Sequence, residues 1–227
     1  GSSVASRQEQ RERVNDSIRG CLMAGAAGDA LGYEVEFMNR SAILSRYGQE
    51  GITRFELDSN DKALISDDTQ MTLFTANGML MGLTRGYMRG IGGRPEKYVD
   101  GAYIDWYSTQ TQEYGLFMKH TWLRDLPEMA HRRAPGNTCM NACANMIRGK
   151  EVHNNSKGCG TVMRLAPVGL FYDPETAYHY GCEFSAITHG HPDAYLPAGF
   201  LACLIAQLIR GKDLESAIVR CLKELET

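Results

Sequence analysis

Apolar and polar positions alternate with a helical period along most of the chain. Leu214, Ala217, Ile218, Cys221, Leu222 and Leu225 recur at i, i+3, i+4, i+7, i+8 and i+11, which is one apolar face of a helix. Asp213 is placed to cap that helix, and Gly211 to end the one before it. Asn15, Asp16 or Ser17 can cap a first long helix running to about Leu31. Within it, the small residues Ala24, Gly25, Ala26, Ala27 and Gly28 would let another backbone approach closely. Further helices are predicted over about 40–47, 67–84, 96–111, 138–148, 161–170, 174–187 and 194–210. Only Gly51-Ile52-Thr53-Arg54-Phe55 reads as extended, and convincing period-two alternation is absent. Stretches 58–61, 90–95, 133–137 and 153–160 are rich in Gly, Asn, Asp and Pro and read as connections. No internal repeat stands out. The pattern predicts a compact all-α fold. Gly1-Ser2-Ser3 reads as a tag remnant; residues 1–14 are expected to be flexible and 15–227 to form the domain.

Composition changes this picture little. The chain has 227 residues, 43% of them hydrophobic, enough for one sizeable core. The longest apolar run, Leu196 to Ile209, holds Pro197 and Gln207 and reads as a buried helix, not a membrane span. A net charge of -3 gives no reason to expect nucleic acid or an anionic membrane as partner. The seven cysteines include no Cys-x-x-Cys pair, which argues against a zinc knuckle. Several lie in apolar runs, such as Leu201-Ala202-Cys203-Leu204-Ile205, where a thiol behaves as a small hydrophobe. The expectation is a reducing, cytoplasmic location.

Chemistry concentrates at Ser66-Asp67-Asp68-Thr69, two carboxylates and two hydroxyls just before the apolar stretch Met71 to Leu83. Two readings fit. Oxygen donors of this kind suit hard cations. Equally, Ser66 or Asp67 can cap the helix, with Asp68 favoured by the macrodipole. Taken alone, capping is the stronger reading.

The companion motifs shift that balance. Gly20 to Gly32 (GCLMAGAAGDALG) is followed by Val35-Glu36-Phe37, then by Ser66-Asp67-Asp68-Thr69-Gln70-Met71. Pro135-Gly136-Asn137-Thr138-Cys139, Ser156-Lys157-Gly158-Cys159-Gly160-Thr161-Val162-Met163-Arg164 and Ile187-Thr188-His189 come after. In this order, over about residues 18–206, they resemble the ADP-ribosylglycohydrolase family. The resemblance implies a compact orthogonal helical bundle and a hydrolase that removes ADP-ribose from a modified acceptor. The partner would be an ADP-ribosylated protein, modified on arginine or serine, or a small molecule containing ADP-ribose.

It also implies two divalent cations, Mg²⁺ or Mn²⁺, with Ser66, Asp67 and Asp68 as ligands. Glu36 and Asp68 would be the catalytic carboxylates, with Glu34 as second choice to Glu36; Asp29 would be structural, fixing the end of the first helix. Lys157, Gly158, Cys159 and Gly160 correspond to the ADP-ribose-binding glycine segment. Backbone N–H groups there can approach phosphate, helped by a following helix N-terminus; a plain glycine turn is the alternative. Met163 and Arg164 continue the pattern, with Arg164 binding phosphate or a structural carboxylate. Asn137 would orient substrate or cap a helix. His189 would contact nucleotide, in preference to a metal set of His189, His191 and Asp193.

One departure matters. The family completes its metal site with an Asp-x-Asp-Thr segment, and none follows Asp193. The expectation is a C-terminally truncated domain with an incomplete second cation site. A second chain or homodimer would then cover the truncated side. The alternative function is a non-catalytic ADP-ribose binder, a structural relative or an inactive fragment.

Overall fold

Helices account for every regular element in the computed structural model, which describes residues 2–90 and 93–226. Among these residues there is no strand, so the fold is all-α as the periodicity predicts. The chain divides into two compact units, Gly1–Thr69 and Gln70–Thr227.

The first unit holds α1 (Ser2–Tyr33), α2 (Arg40–Tyr47) and the opening residues of α3 (Asp67–Arg89). Helix α1 starts well before the cap expected at Asn15–Ser17. Residues 7–13 (RQEQRER) are all strong helix formers. Gln8 donates to Glu12 (3.4 Å), and Glu9 faces Arg13 at the same i, i+4 spacing. A polar helix of this kind has no apolar stripe for periodicity to detect. Among the described residues, the expected close approach along Ala24–Gly28 is not made. A Cβ added at Gly20, Gly25 or Gly28 would meet nothing within 4 Å. Asn39 caps α2 by accepting from Ala42 N (2.9 Å). Residues 51–57 carry no regular element; Glu56 ties them to α2 through Arg46 (2.8 Å) and the Tyr47 hydroxyl (2.5 Å).

The second unit contains the rest of α3, then α4 (Pro95–Thr111), α5 (Asn137–Ile147), α6 (Ala166–Phe171), α7 (Pro174–Ala186), α8 (Pro192–Ile209) and α9 (Leu214–Leu225). Three short 3-10 turns occupy 123–125, 127–129 and 162–164. The helix expected over 161–170 is therefore split. Pro167 sits at the start of α6, where its absent N–H is harmless, and cannot continue a helix from upstream. Asp213 caps α9 as predicted, accepting from Ser216 N (3.0 Å), and Gly211 takes φ +85° just beyond α8.

Helix α8 is the centre of this unit. By length and apolarity it could cross a membrane. Its Ala194, Ala198, Ala202 and Ala206 form an i, i+4 row that is buried inside the unit, as expected of a core helix. The small row permits very close approach. A Cβ on Gly181 of α7 would lie 2.8 Å from the Gly199 Cα, and one on Gly169 of α6 would run into the Ala202 carbonyl oxygen. Between α3 and α4 the core is partly polar. Gln70 Oε1 accepts from Gln110 Nε2 (2.9 Å) and Trp106 Nε1 (3.3 Å), while Gln70 Nε2 donates to the His131 carbonyl (2.9 Å).

Candidate functional site

The residues singled out by sequence fall into two groups, one in each unit. In the first unit, Asp29 near the end of α1 reaches the start of α3. Its carboxylate accepts four hydrogen bonds: from Ser66 N (2.9 Å), Ser66 Oγ (2.5 Å), Thr69 N (3.2 Å) and Thr69 Oγ1 (2.6 Å). Asp29 is structural, as expected, but it fixes the start of α3 instead of the end of α1. A carboxylate suits that place, because the first N–H groups of a helix have no partner within it. Ser66 Oγ also accepts from Asp68 N (3.2 Å), so the capping reading of Ser66 holds. Capping does not exclude cation binding. With both hydroxyl protons committed to Asp29, Ser66 and Thr69 can offer a further ligand only oxygen lone pairs.

Carboxylates in this cluster raise one another. The Asp68 carboxyl is pushed up by burial and then by Asp29, against hydrogen bonds from Asp67 and Ser66 that lower it. Glu36, exposed in the turn after α1, is raised by desolvation, then by Asp68 and Asp29. The structure thus gathers Glu36, Ser66, Asp67 and Asp68 around Asp29. Among the described residues, no three Asp, Glu, His or Cys side chains form a ready-made metal cluster. The donor set is one of carboxylates and hydroxyls, which fits a hard, partly hydrated cation.

In the second unit the glycine segment lies across His189. A Cβ at Gly158 would come within 3.3 Å of His189 Nε2, and one at Gly160 within 3.2 Å of Cε1. The glycines are needed for this crossing. The element that follows is a 3-10 turn and the six-residue α6, too short to supply the helix N-terminus expected for phosphate. His189 is only 1% exposed. Its Nδ1 lies 2.7 Å from Thr188 Oγ1, which accepts from Arg164 Nη2 (2.8 Å). The same hydroxyl lies 3.4 Å from the Ser185 carbonyl, so its proton has two acceptors within reach. Burial, and then the Arg164 charge, hold His189 down at about 4, so it is neutral at pH 7.

Arg164 is fully buried and, among the described residues, makes no ion pair with a carboxylate. Its guanidinium donates to the Gly160 carbonyl (2.7 Å), the Phe184 carbonyl (2.9 Å) and Thr188, and lies 4.6 Å from the Tyr103 ring centroid. It clamps the glycine segment to the end of α7. Met163 offers its carbonyl to Thr72 Oγ1 (2.9 Å). Lys157 and Cys159 are exposed, with Lys157 paired to Asp193 (3.1 Å). His191 is the N-cap of α8, accepting from Asp193 N (3.0 Å). His191 and Asp193 also face each other (3.7 Å), and among the described residues they form no three-residue metal cluster with His189. Asn137 is exposed at the first position of α5, with Gly136 as the cap residue.

Sequence reasoning missed Asn154. Its side chain donates to the Thr188 carbonyl (2.8 Å) and accepts from Gly190 N (3.0 Å) and Ser156 N (3.1 Å). It joins the start of the glycine segment to the Thr-His turn. Its only signal was a place in an Asn-rich connection.

No curated protein sequence matches the chain. The family model described as ADP-ribosylglycohydrolase matches residues 10–227, the span that holds both groups of residues. The chain belongs to the ADP-ribosylglycohydrolase family.

Proposed function

We propose that the protein is a divalent-cation-dependent hydrolase that releases ADP-ribose from a modified acceptor, either a protein side chain such as arginine or serine or a small molecule. The observation that carries this reading is the cluster that Asp29 organises at the start of α3, where its carboxylate holds the Ser66 and Thr69 hydroxyls next to Asp67 and Asp68 in the chain. Ser66 Oγ, Asp67 and Asp68 would hold the Mg²⁺ or Mn²⁺. When bound, such ions supply Lewis-acid polarisation and offset charge that develops at the ribose.

The chain's own groups have distinct tasks. Asp29 takes the protons of Ser66 and Thr69 and so keeps both oxygens available as donors. Glu36 is exposed and has a raised carboxyl, which brings it closer to a working proton acceptor or donor. It would take a proton from the attacking water or give one to the acceptor as the glycosidic bond breaks. Asp68 would stabilise the oxocarbenium-like character of the ribose. The exposed backbone of Lys157–Gly160 and the Lys157 ammonium suit the diphosphate. Neutral His189 supports the segment from beneath.

The test is release of ADP-ribose from ADP-ribosylarginine and from an ADP-ribosylserine peptide, with Mg²⁺, Mn²⁺ or a chelator. We expect release that needs the cation and is abolished in Asp67→Ala and Asp68→Ala. Binding of ADP-ribose without turnover would favour the non-catalytic alternative. Full activity in either variant would overturn the ligand assignment.

A further inference from the structure

Two thiols outside the candidate site face each other in the second unit. Cys203 on α8 and Cys221 on α9 are both fully buried, and their sulfurs are 2.9 Å apart, inside the contact distance of unbonded sulfur atoms. The backbone register places them opposite one another independently of that distance. Residues 210–213 link α8 to α9, a connection short enough to make the two helices antiparallel neighbours. Cys203 lies six residues before α8 ends and Cys221 seven after α9 begins. Both are therefore roughly 9–10 Å along the helix axes from the connection.

The neighbourhood explains why the pair is also a thiol pair at rest. Burial pushes both thiols up; each affects the other, and Glu224 raises both further. Tyr178 of α7 faces the same spot, and its hydroxyl is raised to about 12, chiefly by burial. No cationic group is among the causes; only the hydrogen bond with Cys203 lowers Cys221, and burial outweighs it. Access comes from the shallow docking of α9. Only Ala217 and Cys221 of that helix are buried, while Leu214, Val219, Leu222 and Leu225 are all more than 40% exposed. A helix held by so narrow a stripe opens locally more readily than the core around it.

We propose that Cys203 and Cys221 are a redox pair that closes into a disulfide on exposure to a small-molecule disulfide of the glutathione class, stapling α9 to α8. When α9 opens, one cysteine loses its proton to solvent and attacks a sulfur of the small disulfide. This expels one small thiolate and leaves a mixed disulfide on the protein. The second cysteine, likewise deprotonated, attacks the protein sulfur of that mixed disulfide and expels the second small thiolate. Two protein thiols are oxidised, one small disulfide is reduced to two thiols, and these thiols recover the two protons. A reducing thiol pool reverses both steps.

The experiment is to incubate the full chain with oxidised glutathione or with dithiothreitol, alkylate it, and map peptides without reductant. In the oxidised sample we expect one dominant internal link, joining the peptides of Cys203 and Cys221. Exposed Cys159 should carry only mixed disulfide or alkyl label. Closing a loop of this length should raise the thermal midpoint by about 5–10 °C, and the Cys203→Ala/Cys221→Ala double variant should show no such rise. The proposal is overturned if both cysteines are recovered singly alkylated after oxidation, if either links to a different cysteine, or if the link forms without raising the midpoint. The peptide map uses the unaltered chain, so it decides the matter even if the double variant folds poorly.

Discussion

Replacing Asp29 should be among the most damaging single changes in the first unit. The carboxylate accepts from two backbone N–H groups and two hydroxyls, on residues that are 2% (Ser66) and 8% (Thr69) exposed. In Asp29→Ala the hydroxyls can turn to other partners, but the two N–H groups are fixed by the backbone. A buried donor left unsatisfied costs about 1–3 kcal/mol, and a hydrogen bond to a charged group contributes about 1.5–3 kcal/mol. Two stranded amides plus part of the hydroxyl contribution come to about 3–5 kcal/mol. Relief of repulsion on Glu36 and Asp68 offsets a little of this. Asp29→Asn keeps one acceptor oxygen and should lose about 2–3 kcal/mol. Urea unfolding followed by circular dichroism, with a chelator present, measures both. Asn39→Ala, which removes one exposed cap bond on α2, serves as control at about 1 kcal/mol. If Asp29→Ala is no more damaging than that control, the carboxylate is not what organises the start of α3.

Two further outcomes follow from the second unit. Gly169→Ala drives a Cβ into the Ala202 carbonyl oxygen and should lower stability by about 1–3 kcal/mol, whereas Gly86→Ala, with open space around it, should raise stability by about 0.5–1 kcal/mol; differential scanning calorimetry would show opposite shifts. His189 is held at about 4 in the folded protein against about 6.5 when unfolded, so the unfolded chain binds more protons between those values. Stability should therefore fall as pH drops through that window, by up to about 3 kcal/mol, and His189→Gln should flatten this part of the profile in urea titrations at graded pH.

The helices of this protein were legible because their apolar faces repeat. The α9 stripe, its Asp213 cap and the Gly211 stop all lie within fifteen residues, where pattern reasoning is strongest. The stretch 7–13 of α1 was not legible, since a helix made of Arg, Gln and Glu buries no face. The 161–170 stretch failed for a different reason, with Pro167 enforcing a fresh helix start inside an otherwise helical pattern. At the candidate site, the acidic quartet could be read directly as either cap or ligand. What organises it could not: Asp29 lies 37 residues before Ser66 and 40 before Thr69, and no local signal records that contact. The glycines at 158 and 160 were also legible as glycines, but their need to pass over the His189 ring depends on packing from the Thr188 turn. Arg164 shows the same limit. A buried guanidinium clamped by carbonyl oxygens cannot be told from one awaiting phosphate by sequence alone.

The long span between Asp29 and its four donors also bears on how the chain acquires its chemistry. Helices α7, α8 and α9 are joined by short links, so their contacts close small loops and can form early. The Asp29 contacts close a loop about twice as long as the α8–α9 staple and gain little until several bonds form together. Folding should therefore assemble the helical hairpins first and the acidic cluster late. On refolding of the full chain, Asp29 would stay apart from Asp67 and Asp68 until the last steps, and the hydroxyls would be set for a divalent cation only then.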